Sequence, residues 1–392
     1  MADDLARFRR RVHREPEVGL HLPRTQEKVL AELDGLPLEI TTGESLSSVT
    51  AVLRGHHPGP TVLLRADMDA LPIGERSGVD YAATGQRMHA CGHDLHTTMW
   101  VGAARLLAAN ARRLDGDVVF MFQPGEEGDD GAAHMLAEGV LEASGQRPVA
   151  AYAMHTVSAG VPHGTFTTRR GSMLAADDVL AVTVRGPGGH GSEPFRAKDP
   201  ILAACAMVGE LQAMVTRQFD VFDPVVVTVG TFHAGTAPNI IPSTVVFEAA
   251  VRSFSAPARA RVADALVAVC RGIAAAHGVD VDLDYRRGYP MTVNDHAEAD
   301  FVADTVRELH GEDRFTPAAH PLPAAEDFSR VLEALPGAFV LLGACAPGTD
   351  PDAAANNHSP AAIFDDGVLA DGAALYAELA LRRLSRSRPS TT

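Results

Sequence analysis

The stretch MHACGHDLH, Met88–His96, gathers three histidines, an aspartate and one of the chain's four cysteines. Such a set could hold a metal ion, pair a thiol nucleophile with a base, or form a polar loop without chemistry. Cys91 and His93 stand two apart. Side chains at i and i+2 diverge on a helix but share a side on extended backbone. Gly92 permits an unusual turn and a close approach. Asp67 and Asp69 are also two apart, ending the apolar run TVLLRAD. Two carboxylates on one side of a strand repel unless a cation or a histidine lies between them. The adjacent Glu126 and Glu127 in QPGEEGDDG can divide two roles, one binding metal and the other holding water. General-base work needs a carboxylate within hydrogen-bond reach of that water. Taken alone, the stretch also reads as an acidic loop with Asp129 and Asp130. His155 follows the apolar YAM, where a core histidine is the ordinary reading, and His358 lies in the turn-like NNHSP.

Taken together, Cys91, His93, Glu127, His155 and His358 form a mixed sulfur, nitrogen and oxygen donor set. Five donors exceed what one tetrahedral zinc with an open position accepts. They suit two divalent ions that share a bridge about 3.5–4 Å apart, activate water and polarise a carbonyl. Borderline ions (Zn, Mn, Co or Ni) fit the mixture, whereas Ca or Mg alone would not select a thiolate. The competing chemistry makes Cys91 a nucleophile with His93 or His96 as base. A thiol enzyme of that kind survives EDTA and a metal enzyme does not.

The elements that must position these residues alternate between strand and helix. Thr61–Asp67, Gly116–Pro124 and Val149–Thr156 read as strands, with helices expected over Thr98–Leu114 and Gly131–Gly145. The alternation predicts a mostly parallel sheet with helices on both faces, where ligands collect beyond the carboxyl ends of the strands. Asp67, Asp69, Glu126, Glu127 and His155 all fall at that edge. After about Ala176 the order becomes βαββαβ, a ferredoxin-like unit. The expected fold is therefore α/β with two domains: a catalytic sheet domain, 1–176 and 291–392, interrupted by an inserted α+β domain, 177–290. The tail SRSRPSTT is expected to be disordered.

Composition narrows the class. Of 392 residues, 46% are hydrophobic and 21% charged, as in a water-soluble globular chain. A net charge of −16 argues against a nucleic-acid partner, and no apolar run is long enough for a membrane span. The start MADDLARFRRRVH carries no signal-peptide core, so a cytoplasmic protein is expected. Cys91, Cys205, Cys270 and Cys345 are widely separated and are expected to be free thiols.

Several motifs carry a family resemblance: RADMDALPI (Arg65–Ile73), MHACGHDLHTTM (Met88–Met99), QPGEEG (Gln123–Gly128), MHT (Met154–Thr156), GGHGSEP (Gly188–Pro194), GTAPNIIP (Gly235–Pro242), AVRSF (Ala250–Phe254), EDFS (Glu326–Ser329) and NHSP (Asn357–Pro360). In this order they resemble the metal-dependent amidohydrolase, aminoacylase and carboxypeptidase G-like peptidase family, in its branch of hippurate hydrolases and indole-acetyl-amino-acid hydrolases. The resemblance implies that Cys91, His93, Glu127, His155 and His358 bind two metals, with Glu126 as general base and proton shuttle. It implies that Asp69 orients a ligand histidine, and that Asp67 stands where other branches carry a metal-binding histidine. The inserted domain looks like a lid and dimer contact. Through it His190 would polarise the scissile carbonyl in the partner subunit's site, while Asn239 and Arg252 would hold the substrate carboxylate.

The implied activity is hydrolysis of a small N-acyl amino acid by a homodimer. A carboxypeptidase or dipeptidase of the same family is the alternative, and a silent metal-binding module is a further one. Two departures from the family pattern stand out. Gly125 and the pair Asp129–Asp130 replace residues common in relatives, and Leu95 replaces a common Gly. Gly125 is expected to loosen the loop beside the base.

Overall fold

The apolar, β-branched run ending at Asp67 closes an eleven-residue strand, His57–Asp67, whose last seven residues are buried. The computed structural model describes residues 1–386. These residues divide into two compact units. One comprises Met1–Met173, Val293–His320 and the chain from Asp327 onward; the other comprises Leu174–Thr292 and Pro321–Glu326.

In the first unit, a seven-stranded sheet among the described residues runs Leu38–Thr42, Val49–Leu53, Asp115–Gln123, His57–Asp67, Ala150–Val157, Gly337–Gly343, Phe166–Thr167. The four strands from Asp115–Gln123 to Gly337–Gly343 are parallel. The outer pairings are antiparallel, so the sheet is mixed and not mostly parallel. The physical reason lies in the connections. The short link between Leu38–Thr42 and Val49–Leu53 can only make a hairpin, whereas a parallel pair needs a long crossover. Asp67 stands opposite Gln123, and His155 opposite Leu341. Register therefore brings the carboxyl ends of the parallel strands to one edge.

Two helices differ from expectation. The first begins at His93, not Thr98, and ends at Ala109. Gly92, at φ 86°, supplies the left-handed turn that starts it. The helix packs against Ala2–His13 and Leu369–Ser385, and Trp100 meets Phe120, Phe122 and Tyr376 edge-on. The second is only Gly131–Ala137, because Gly139 at φ 87° breaks it before a short 3-10 turn, Val140–Glu142.

The second unit has the expected βαββαβ order. Its four antiparallel strands lie in the order Val225–Ala234, Thr244–Ser253, Ala176–Arg185, Asp280–Arg287. Strict alternation of burial along Ala176–Arg185 presents Leu180, Val182 and Val184 to helices Pro200–Gln218 and Ala256–His277. This is the ferredoxin-like arrangement.

No helix among the described residues is long and apolar enough to cross a membrane. Of the tail expected to be disordered, Ser385 ends the last helix and Arg386 caps it; the remainder lies outside the described residues. Cys91, Cys205, Cys270 and Cys345 are free thiols.

Candidate active site

Arg65 is a single arginine inside an apolar strand, and it is 2% exposed. A buried guanidinium needs carboxylates, and the fold provides two. Arg65 donates to Asp67 Oδ2 at 2.7 Å, to Asp327 Oδ1 at 2.6 Å and to Gln123 Oε1 at 2.8 Å. The other oxygen of Asp67 lies 2.5 Å from His96 Nδ1. His96 Nε2 accepts the Thr156 backbone N–H at 2.7 Å, so its ring proton sits on Nδ1 and points at Asp67. Burial opposes the charge on Asp67, but Arg65, His93 and His96 outweigh it and hold its carboxyl well below the usual range. Both Asp67 and His96 are thus engaged with protein partners. Sequence spacing missed Arg65, Gln123 and Asp327; the readable signal was a lone arginine in a buried strand.

Cys91 is the hub of the donor set. Its Sγ lies 3.3 Å from His155 Nε2 and 3.2 Å from His358 Nε2. His358 Nε2 is also 3.2 Å from Glu127 Oε1, and His93 Nε2 is 4.0 Å from that same oxygen. Among five such clusters of donor atoms in the described residues, two contain this sulfur, Cys91–His93–His155 and Cys91–Glu127–His358; the others are Asp67–His93–His96, His93–Glu126–Glu127 and Glu126–Glu326–Asp327. The convergence of Cys91 and His93 comes from left-handed Gly92 at a helix start, not from extended backbone. A β-carbon at Gly92 would sit 2.4 Å from Thr156 Oγ1, so no other residue fits.

Four of the five candidate donors touch one another or the backbone. The fifth, His93, is fully buried, yet neither ring nitrogen has a hydrogen-bond partner among the described residues, although carboxylate oxygens of Asp67, Asp69, Glu126 and Glu127 lie 3.5–4.0 Å away. A buried polar atom without a partner is costly. Converging nitrogen, sulfur and carboxylate lone pairs are what a borderline divalent cation satisfies, so these residues fit such ions. Without an ion these groups set one another's proton affinity, and an ion would have to displace the protons of Cys91 and His358. Burial, then Glu127, pushes the Cys91 thiol up. Hydrogen bonds to Cys91 and then Glu127 raise His358 to about 10. Burial, then His96, holds His155 well below the usual histidine value, keeping it a neutral donor.

Glu126 is buried, 6% exposed, with Oε2 3.9 Å from His93 Nε2. Asp69 reaches this loop through the backbone: its two oxygens accept the N–H groups of Glu126 and Glu127, each at 3.0 Å. Asp69 Oδ1 lies 3.5 Å from His93 Nδ1. Gly125 does not loosen the loop as expected. It sits at φ 74°, a left-handed turn that favours glycine, with the movable tip of Leu20 2.5 Å from where a β-carbon would lie. Asp130 pairs with Arg330 at 2.8 Å. His89 is buried, and burial pushes it down to about 4. Leu95 is fully buried.

His190, Asn239 and Arg252 belong to the second unit. His190 is exposed on a two-residue ribbon opposite Ile240. Its Nδ1 accepts the Ser192 N–H at 3.2 Å, which leaves a neutral ring's proton on Nε2. The Asn239 carbonyl accepts the Gly191 N–H at 2.9 Å. Arg252, on Thr244–Ser253, is half-buried with Nη1 3.0 Å from Asp177 Oδ1.

A sheet edge of converging carboxylates, histidines and one thiol, in a two-unit α/β chain, defines a metal-dependent hydrolase. The chain matches the sequence model of peptidase family M20/M25/M40 over residues 63–382 and belongs to that family. It is a hydrolase acting on amide bonds. It is 33% identical to hippurate hydrolase of Campylobacter jejuni over 382 residues, covering 97% of each chain. It is 34% identical to thermostable carboxypeptidase 2 of Saccharolobus solfataricus over 385 residues, 97% of this chain and 95% of that one. Among solved structures, a dinuclear metal binding peptidase of the M20 family from Bacillus subtilis superposes with a TM-score of 0.85 at 30% identity, covering 98% of both chains.

Proposed function

We propose that this protein is a binuclear amidohydrolase that splits N-acyl amino acids, hippurate-like or N-acetyl, into a carboxylic acid and an amino acid. One observation carries the reading: the Cys91 sulfur is common to two donor groups, and the buried ring nitrogens of His93 beside it find no hydrogen-bond partner among the described residues. Cys91, His93 and His155 would hold one ion, and Cys91, Glu127 and His358 the other. The ions, Zn, Mn, Co or Ni, supply Lewis acidity and make water more acidic.

The remaining work falls to the chain. Glu126 takes the proton from the attacking water and passes it to the leaving amine, work that suits a buried carboxylate beside the donor cluster. Asp69 fixes the peptide units of Glu126 and Glu127 so that neighbouring carboxylates serve different ends. His190 reaches the partner subunit's site and donates from Nε2 to the developing oxyanion there. Asn239 and Arg252 grip the substrate carboxylate; Arg252 suits this because its fork pairs bidentately, and it would share its charge with Asp177. The second unit serves as lid and dimer contact. Its edge strand Val225–Ala234 leaves Val226 and Phe232 exposed, beside Phe222 at 94% exposure.

A second reading, a carboxypeptidase or dipeptidase, draws support from the likeness to the thermostable carboxypeptidase. The test is a hydrolysis screen on metal-reconstituted protein with hippurate, N-acetyl amino acids and dipeptides. Preference for the acylated amino acids supports the first reading and preference for dipeptides the second. Hydrolysis of none, with Mn, Zn, Co and Ni each supplied, overturns both.

A further inference from the structure

The loop carrying His358 is strained and exposed, yet its imidazole must meet Cys91 and Glu127. His358 is at φ 67°, where a β-carbon is disfavoured, and its side chain is 53% exposed. Its backbone N–H donates to the Ala90 carbonyl at 2.8 Å. The preceding residue, Asn357, supplies the rest of the anchorage. Its Nδ2 donates to the Cys91 carbonyl at 3.2 Å and to the Thr156 carbonyl at 3.0 Å. The Cys91 sulfur is 3.8 Å from the same nitrogen. Its Oδ1 accepts the Ser158 N–H at 2.9 Å; the Ser158 hydroxyl lies 3.0 Å from Oδ1, but its single proton has a nearer acceptor in the Ala355 carbonyl at 2.7 Å. A primary amide has two donors and one acceptor oxygen, and here both the NH₂ group and the oxygen are engaged with backbone. The partners also set the amide's orientation, because two carbonyls face one side and an N–H faces the other.

One side chain therefore ties together the backbones of Cys91, of Thr156 next to His155, and of His358 itself. We infer that Asn357 is a positioning residue that sets the gap between the Cys91–His155 edge and the His358–Glu127 edge, and so governs retention of the ion held by Cys91, Glu127 and His358. This rests on the binuclear reading above. His93 and His155 sit on a helix start and a sheet strand and do not need Asn357 for their backbone. His358 sits on a loop and does. The loss on removing Asn357 therefore falls on one ion, not both.

The test uses full-length protein stripped by chelator and titrated with Co²⁺, read by equilibrium dialysis and by thiolate-to-cobalt absorption, with kcat and KM at limiting and excess Co²⁺. Wild type is expected to bind two ions. N357A, and the isosteric N357D that turns an acceptor towards two carbonyls, are expected to keep one ion at wild-type affinity and to bind the second about 10- to 100-fold more weakly. Excess Co²⁺ should restore kcat while KM stays constant. Two ions held at wild-type affinity would overturn the inference. So would equal weakening of both, or activity that no Co²⁺ concentration restores, since those outcomes mark a general structural role. If neither Asn357 variant folds, S158A, which removes the hydroxyl that lies against Oδ1 and holds the Ala355 carbonyl of the same loop, should weaken the second ion several-fold; an unchanged second ion there overturns the inference. A wild type that binds no second ion overturns the binuclear reading itself, and this inference with it.

Discussion

Asp69 holds Glu126 by its backbone: Oδ1 accepts the Glu126 N–H at 3.0 Å while Oδ2 accepts the Glu127 N–H at the same distance. One carboxylate thereby fixes two successive peptide units, and two adjacent glutamates point to separate tasks. D69N keeps the shape but turns an NH₂ towards one of those N–H groups. It should weaken ion binding about 10- to 100-fold and lower kcat at saturating metal. Calorimetric titration with Mn²⁺ alongside steady-state kinetics checks this, and unchanged values in both would refute the role.

Glu126 should separate from Glu127 in its signature. E126Q is expected to retain both ions while kcat falls about 100- to 10,000-fold. E127Q is expected to lose metal first. Metal analysis of the purified variants, set beside their rates on hippurate, distinguishes the two; comparable turnover in metal-replete E126Q would remove it as the base.

Cys91 decides between metal and thiol chemistry. C91S removes the atom shared by both donor groups, so it should bind metal poorly and lose the thiolate-to-cobalt absorption. Wild type should lose activity to EDTA and regain it on adding Mn²⁺ or Co²⁺. Activity that persists through exhaustive chelation but disappears on thiol alkylation would favour a cysteine hydrolase.

Arg65 supports the site from beneath. R65M leaves Asp67 and Asp327 buried without their cation, and removing one partner of a buried pair costs about 3–5 kcal/mol. Urea denaturation of the stripped protein measures it. A cost under about 1 kcal/mol, the range of a surface pair, would show that the network is dispensable.

His13 gives a pH signature through its bond to Asp94, the residue that follows His93. Burial opposes its charge, but Asp94 at 2.8 Å and then Glu75 at 3.1 Å outweigh it, so its pKa is raised. The folded state then holds a proton that the unfolded state releases near pH 6.5. Its contribution is full below about pH 6.5 and is lost as pH rises through the raised folded value. The stability difference between wild type and H13Q should therefore shrink as pH rises from about 6 to about 9. A difference independent of pH would contradict the assignment.

Local chemistry made much of this legible. Alternating β-branched and helix-forming runs placed the strands, the βαββαβ order identified the inserted unit, and the residue types at Cys91, His93, Glu127, His155 and His358 named a donor set suited to borderline metals. These are properties of composition and short-range spacing, which a chain carries before it folds. What they could not supply was distance across the chain. Gly92 and Gly125 read as sources of freedom, and the fold fixes both at positive φ, with Thr156 packed against Gly92. Asp67 read as half of a carboxylate pair, but Arg65 and His96 claim it. Cys91 and His358 are separated by 267 positions and meet at 3.2 Å, and the amide of Asn357 that joins their loops lay unnoticed in NNHSP. Partner choice for a buried polar group depends on which segments the sheet register and loop closure bring within hydrogen-bond reach. Sequence by itself determined which atoms could bind a cation; tertiary structure decided which of them face one another.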